Sequence, residues 1–133
     1  VLAMTQTAPL GLWDILGAVL WGIGFGFEAV GDAQLARFKA DPANRGRVLD
    51  HGLWRYTRHP NYFGNACLWW GFFVIACAVP WGVATFPAPL AMTWLLLRVS
   101  GVALTERNMS TRPGYAEYVA RTSAFVPWPP RRP

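Results

Sequence analysis

Charge is what this chain has least of. Only 14% of its 133 residues are Asp, Glu, Lys or Arg, against about a quarter in an ordinary soluble domain. Histidine and cysteine are also sparse, at two each. A zinc site needs more ligands at closer spacing than His51, His59, Cys67 and Cys77 offer, so no metal is expected. Cys67 and Cys77 share one apolar run and read as small buried side chains; a disulfide would want an oxidising compartment. No basic residue precedes the first apolar run, so a signal peptide is not expected. No internal repeat is evident.

What fills the space is apolar. Hydrophobic residues are 53% of the chain, with eight Trp and eight Phe. The length fits one domain over residues 1–133. The chain opens on Val1, which leads us to expect the C-terminal part of a longer protein, with Met4 as a true start the alternative. The formal charge is +5. Its basic residues alternate with membrane-length apolar runs instead of covering one face of a folded domain, so nucleic acid is not the expected partner.

The first run covers about residues 10–27, with Asp14 its only charge; as a helix it is roughly 27 Å long, enough with its flanks to cross a hydrocarbon core of about 30 Å. Within it, Gly22 and Gly26 stand four apart, the spacing at which small residues let another helix approach closely. The helical pattern continues through Lys39, with Glu28, Asp32 and Lys39 on one face, and Asp41-Pro42 ends it. A loop over 43–51 follows. Pro60 suits the first turn of a second helix running to about Val79, with Thr57 a candidate cap. Residues 80–87 read as an uncharged turn, 88–104 as a third apolar helix interrupted by Arg98, and 112–121 as a short interfacial helix. The proline-rich tail 126–133 suits neither helix nor sheet. The expected fold class is therefore all-α: a polytopic membrane helical bundle of about three transmembrane helices plus a short C-terminal interfacial helix.

Charge distribution supports the same count. Arg37, Lys39, Arg45, Arg47, Arg55 and Arg58 lie between the first two runs, and the other six Lys/Arg fall from Arg98 onward. None lies in the N-terminal segment or the 80–87 turn. Three crossings put both basic regions on one side, the cytoplasmic one by the positive-inside rule.

The stretch Gly52-Leu-Trp-Arg-Tyr-Thr-Arg-His-Pro-Asn-Tyr-Phe-Gly-Asn65 concentrates polar groups between two such runs. Polar groups beside hydrocarbon are costly unless they hold something. In a three-span arrangement one rim brings Glu28, Asp32 and Lys39, the next Arg55, Arg58, His59, Asn61, Tyr62 and Asn65, and the third Arg98, Glu106 and Arg107. Arginines and helix N-termini favour phosphate, Asn, Asp and Glu suit ribose hydroxyls and amides, and Tyr stacks on flat rings. The mixture points to a nucleotide-type cofactor. Interfacial anchoring, with aromatics belting the membrane and arginines meeting lipid phosphates, stays open on the residues alone.

From Gly52 to Gly64 the motif resembles the C-terminal half of bacterial membrane proteins related to steroid 5α-reductases, and more loosely sterol C14-reductases and isoprenylcysteine carboxyl methyltransferases. Glu28, Asp32 and Gln34 with Phe38-Lys39, then Trp69-Trp70-Gly71, Glu106-Arg107, Tyr115 and Tyr118, and the closing Phe125-Val126-Pro127 extend the likeness over nearly the whole chain. The resemblance implies an integral protein of the bacterial inner membrane that binds NADPH. Cofactor contacts are implied for Asp32, Arg58, His59, Asn61, Tyr62 and Asn65, with Glu28 and Lys39 at cofactor-facing positions and Arg98, Glu106, Arg107 and Tyr118 as looser carry-overs. The implied reaction is hydride transfer to the activated double bond of a lipidic enone. The alternative is an S-adenosylmethionine-dependent membrane methyltransferase, which shares the Arg-His-Pro-x-Tyr pattern; a third reading is a non-catalytic membrane module. Two departures stand out. The family's motif closes with Gly-Glu where this chain has Gly64-Asn65. The reductases also take their substrate-polarising Glu and Tyr from an N-terminal half, so the catalytic residues and a partner segment are expected outside this chain, and turnover by the chain alone is not expected.

Overall fold

The computed structural model describes residues 9–99 and 101–131. The question of a start at Val1 or Met4 falls outside those residues. Five α-helices follow in order: α1 (Leu12–Ala40), α2 (Pro60–Ala76), α3 (Pro87–Arg98), α4 (Val102–Met109) and α5 (Tyr115–Arg121). Among the described residues there is no strand, only an isolated parallel bridge between Thr57 and Ser123. The all-α expectation holds. Two helical stretches, Leu12–Ala40 and Gly82–Met109, are long and apolar enough to cross a membrane; α2 lies between them.

Asp14 explains itself at the start of α1. Its carboxylate accepts from the Gly11 N–H at 2.9 Å, satisfying a donor that the first turn leaves orphaned. The helix then runs unbroken for 29 residues, about 44 Å, and stops at Asp41-Pro42 as the sequence predicts.

The glycines pack helices, but not the pair that the sequence singles out. Gly22 and Gly26 meet nothing within 4 Å. The seam with α2 is instead formed by Gly17, Gly24 and Gly31. A Cβ on Gly24 would lie 2.6 Å from the Gly64 carbonyl oxygen, and one on Gly17 would lie 2.8 Å from that of Gly71. Gly31 faces Pro60 and Asn61. Seven residues make almost two full turns, so these three glycines share one face, whereas Gly22 and Gly26 lie off it. Rising numbers on α1 meet falling numbers on α2, so the two helices are antiparallel and nearly in backbone contact.

α2 ends at Ala76, three residues before the expected Val79. The turn after it folds back so tightly that a Cβ on Gly82 would overlap the Ala76 carbonyl oxygen. α3 returns antiparallel along α2: Trp70 Nε1 donates to Thr93 Oγ1 at 3.1 Å, and Phe86 packs edge-on against Trp70 and Phe73. The third apolar run is two helices, not one over 88–104. Gly101 lies between them, where a Cβ would come within 2.2 Å of the Leu96 carbonyl oxygen, a close return no larger residue permits. Cys67 is buried, Cys77 is half-buried, and both are free thiols.

The basic connectors gather at one end. Arg121 bonds the Asp50 carboxylate, Arg112 Nη1 donates to the Arg47 carbonyl at 3.3 Å, and Trp128 N–H donates to the Tyr56 carbonyl at 2.9 Å. The described part of the tail, 126–131, forms neither helix nor strand, as expected.

Candidate functional site

The motif after Gly52 is held in shape by α1 and by the C-terminal segment. Gly52 takes φ 63° and lies against the Gln34 amide, where a Cβ would come within 2.5 Å. Gln34 Oε1 accepts from the Leu53 N–H at 3.0 Å, and Trp54 Nε1 donates to the Gly31 carbonyl at 3.1 Å. Thr57 is fully buried and does not cap α2. Its hydroxyl donates to the Phe125 carbonyl at 2.8 Å, and the residue preceding α2 is His59.

Four of the sequence-predicted residues form a ladder between α1 and α2. Asn61 Nδ2 donates to Asp32 Oδ1 at 2.9 Å, and one turn further on Asn65 Nδ2 donates to Glu28 Oε1 at 3.3 Å. The two carboxylates thus meet amides, and among the described residues neither forms a salt bridge.

Four more form a cluster around Glu106. Its Oε1 accepts from Arg58 Nε at 2.8 Å and faces His59 Nε2 at 3.2 Å. The His59 ring stacks on Tyr62 with centroids 5.4 Å apart, and the Tyr62 hydroxyl lies 3.3 Å from Thr105 Oγ1. Arg58 Nη1 also donates to the carbonyls of Thr122 at 2.6 Å and Val119 at 3.2 Å. Three of its five N–H groups therefore hold α4 and α5 in place. Burial, with the Arg58 guanidinium adding to it, outweighs Glu106 and lowers the His59 pKa below its ordinary value. With His59 neutral, Nε2–H is the donor to Glu106 and Nδ1 is left as an acceptor.

Beside this cluster opens a cavity of about 540 Å³. Its wall carries the cations Lys39, Arg45, Arg47, Arg58 and Arg112 and one carboxylate, Asp41. Phe38, Trp54, Tyr115 and Tyr118 supply rings, and Leu35, Leu49 and Met109 an apolar patch. Tyr118 is buried and donates its hydroxyl to the Trp54 carbonyl at 2.6 Å. Burial pushes the phenol pKa of both Tyr115 and Tyr118 up, so each stays a donor across the physiological range.

A family model described as "Protein of unknown function (DUF1295)" matches residues 1–122. The chain belongs to the DUF1295 family. No curated protein and no solved structure matches it. In this DUF1295 chain Lys39, Arg58, His59 and Tyr118 line the cavity, while Tyr62 and Glu106 stand directly behind His59. Glu28, Asp32, Asn61 and Asn65 form the ladder and do not line the cavity. Arg98 and Arg107 are exposed at the end of α3 and on α4, and neither lines the cavity. Arg98 is the last residue of α3. No group of side chains suited to holding a metal occurs among the described residues.

Sequence reasoning missed Arg45, Arg47, Arg112, Trp54 and Tyr115 as parts of one wall. The signal for Arg45 and Arg47 was present, as two arginines flanking a glycine in a polar loop. Arg112 and Tyr115 arrive because contacts such as those of Arg58 with Val119 and Thr122, and of Tyr118 with Trp54, tie the C-terminal segment down; they span more than sixty residues and leave no local trace.

Proposed function

We propose that this chain is the NADPH-binding part of a membrane reductase of the steroid 5α-reductase type, acting on an activated carbon–carbon double bond of a lipidic enone. The observation that carries this reading is the charge of the cavity wall. Arg58 is already paired with Glu106, which leaves Lys39, Arg45, Arg47 and Arg112 against one carboxylate beside four aromatic rings. Such a wall suits phosphate oxygens and flat heterocycles. It also favours this reading over an S-adenosylmethionine methyltransferase, because a sulfonium is itself a cation and gains nothing from surrounding arginines.

NADPH, when bound, supplies the hydride. The chain's own residues bind and orient. Lys39, Arg45, Arg47 and Arg112 take the anionic groups, and Trp54 and Tyr115 offer ring faces. The Glu28–Asn65 and Asp32–Asn61 pairs lie outside the cavity wall and would meet the hydroxyl or amide groups only of a ligand that extends beyond it. His59, fixed by Glu106 and stacked on Tyr62, presents Nδ1 as an acceptor. Polarising the substrate carbonyl falls to the Glu and Tyr that the family resemblance assigns to a more N-terminal segment.

In this reading α1, α2 and α3 with α4 cross the inner membrane of a bacterium, and the basic connectors are cytoplasmic. The partners are the bilayer, a lipidic substrate and that N-terminal segment. Titration of the detergent-solubilised protein tests the cofactor. Tryptophan emission is expected to be quenched saturably by NADPH and not by S-adenosylmethionine, with the quenching weakened in Lys39→Ala and Arg47→Ala and unaffected in Arg98→Ala. Quenching by S-adenosylmethionine alone would transfer the site to the methyltransferase reading.

A further inference from the structure

Trp81 holds a conformation that a tryptophan ordinarily avoids. Its φ is 69°, and it is the one non-glycine residue with positive φ among those described. A Cβ in that region crowds the neighbouring carbonyl, which is why glycine usually occupies it. The side chain is 83% exposed, and Val83 and Phe86 beside it are exposed too. The turn bonds explain how the strain is held: Gly82 N–H donates to the Val79 carbonyl at 3.0 Å and Ala84 N–H to the Trp81 carbonyl at 2.9 Å. They do not explain why a large indole is the residue displayed.

The position supplies a reason. The antiparallel packing of α1 on α2 puts the start of α1 at the same end of the molecule as the 80–87 turn, and Trp13 is exposed at that start. This rim has no lysine or arginine; all twelve belong to segments 37–58 and 98–132. The basic rim has arginines to meet lipid phosphates. The opposite rim has only its aromatics, and an indole suits the headgroup boundary because one edge is apolar and the N–H still finds an acceptor. The exposed apolar sides of α1 and α3, with Leu16, Leu90 and Trp94, lead up to this rim, where Asp14 is bonded to the Gly11 N–H.

We propose that Trp81 is the bilayer anchor of this cation-free rim, its indole seated at the headgroup–acyl boundary and setting the depth of the α2–α3 hairpin. The anchor rests on the reading that these helices cross a membrane. It binds lipid through general interfacial chemistry and needs no particular headgroup.

The test compares the full chain with Trp81→Gly after reconstitution into phosphatidylcholine vesicles. The difference between their tryptophan emissions isolates Trp81 from the other seven indoles. The difference emission is expected to be blue-shifted, quenched most by lipids brominated next to the headgroup, less by lipids brominated mid-chain, and insensitive to aqueous iodide. Quenching by iodide would overturn the anchor, and so would indifference to both quenchers, which would show the indole covered by protein. Because glycine tolerates the positive φ, Trp81→Gly is expected to keep the melting temperature of the wild type in detergent, so that a changed signal in vesicles is not misfolding. Release of the wild type from vesicles by alkaline carbonate would sink the spanning reading and the anchor together. Retention with a water-exposed indole would sink the anchor alone.

Discussion

The Nε of Arg58 lies 2.8 Å from Oε1 of Glu106, and the same oxygen faces the ring of His59. A single carboxylate on α4 thus fixes the loop before α2, while Arg58 carries the contact onward to the carbonyls of Val119 and Thr122. Glu106→Ala leaves the Arg58 guanidinium and the His59 N–H without their shared acceptor. Orphaning partly buried charged donors costs about 2–4 kcal/mol. Glu106→Gln keeps an acceptor oxygen but loses the charge, so its cost is expected to be roughly half of that. Glu117, exposed on α5, serves as the control, and Glu117→Ala is expected to stay within about 0.5 kcal/mol of wild type. Thermal unfolding in detergent, followed by circular dichroism, ranks the three. Equal stability of Glu106→Ala and Glu117→Ala would show that the contact holds nothing.

The α1–α2 seam makes a sharper prediction, because the same substitution is expected to have opposite signs on two faces of one helix. Gly24→Ala pushes a methyl to 2.6 Å from the Gly64 carbonyl oxygen, where backbone and not a flexible side chain must move. A loss of about 2 kcal/mol or more is expected, in the range of core overpacking. Gly22→Ala and Gly26→Ala enter open space on the same helix. Relieved of the glycine penalty, each is expected to stabilise by up to about 1 kcal/mol. The melting temperatures of the three variants check the sign pattern.

The two glycine sets show where the sequence was legible and where it was not. The stop at Asp41-Pro42 and the start at Pro60 were readable because each depends on residues within a turn of itself. The choice among glycines was not, because Gly17, Gly24 and Gly31 become a seam only when a second helix with its own glycines at 64 and 71 is laid against them. The break between α3 and α4 escaped for a similar reason, since Gly101 matters through its approach to the Leu96 carbonyl. In the candidate site, the carboxylate-to-asparagine pairing of α1 with α2 was half visible: the one-turn spacing of Glu28 and Asp32 called for a partner nearby, and Asn61 and Asn65 repeat that spacing. Arg58 was read as a phosphate contact, yet three of its donors go to the protein. A buried arginine and a ligand-binding arginine look alike until their acceptors are known.

His59 gives the fold a dependence on pH of definite sign. Its side chain is 2% exposed, and burial lowers its folded pKa, opposed by the Glu106 carboxylate and reinforced by Arg58. The unfolded chain takes up a proton near the ordinary value of 6.5, and the folded chain only at lower pH. Between those two values the unfolded state binds more protons, so stability rises with pH there. The contribution is complete above 6.5 and is lost as pH falls through 6.5 toward the folded value. Melting temperature is therefore expected to drop on acidification through this window. His59→Gln is expected to flatten the drop while lowering the melting temperature at neutral pH. A slope that survives the substitution unchanged would assign the dependence to another group.

Asn65 occupies the place where the resembling reductases carry a glutamate, and the structure gives the substitution a physical consequence. The Asn65 amide donates to Glu28 Oε1 at 3.3 Å and lies 3.5 Å from Oε2. Asn65→Glu removes that donor and brings a second carboxylate up to the first. Two carboxylates at such a separation do not both ionise, so one takes up a proton or the pair moves apart. At neutral pH either response is expected to cost about 1–2 kcal/mol, close to the penalty of losing a charge-assisted bond and leaving like charges in contact. Acidification should recover part of the loss, because protonating one carboxyl restores a donor. The double variant Glu28→Gln with Asn65→Glu re-creates an amide–carboxylate pair with the roles exchanged, and is expected to return to near wild-type stability. Thermal unfolding of the single and double variants across pH measures the coupling between the positions. A double variant no more stable than Asn65→Glu alone would mean that the two side chains do not sense each other, and that the amide at position 65 answers to something other than Glu28.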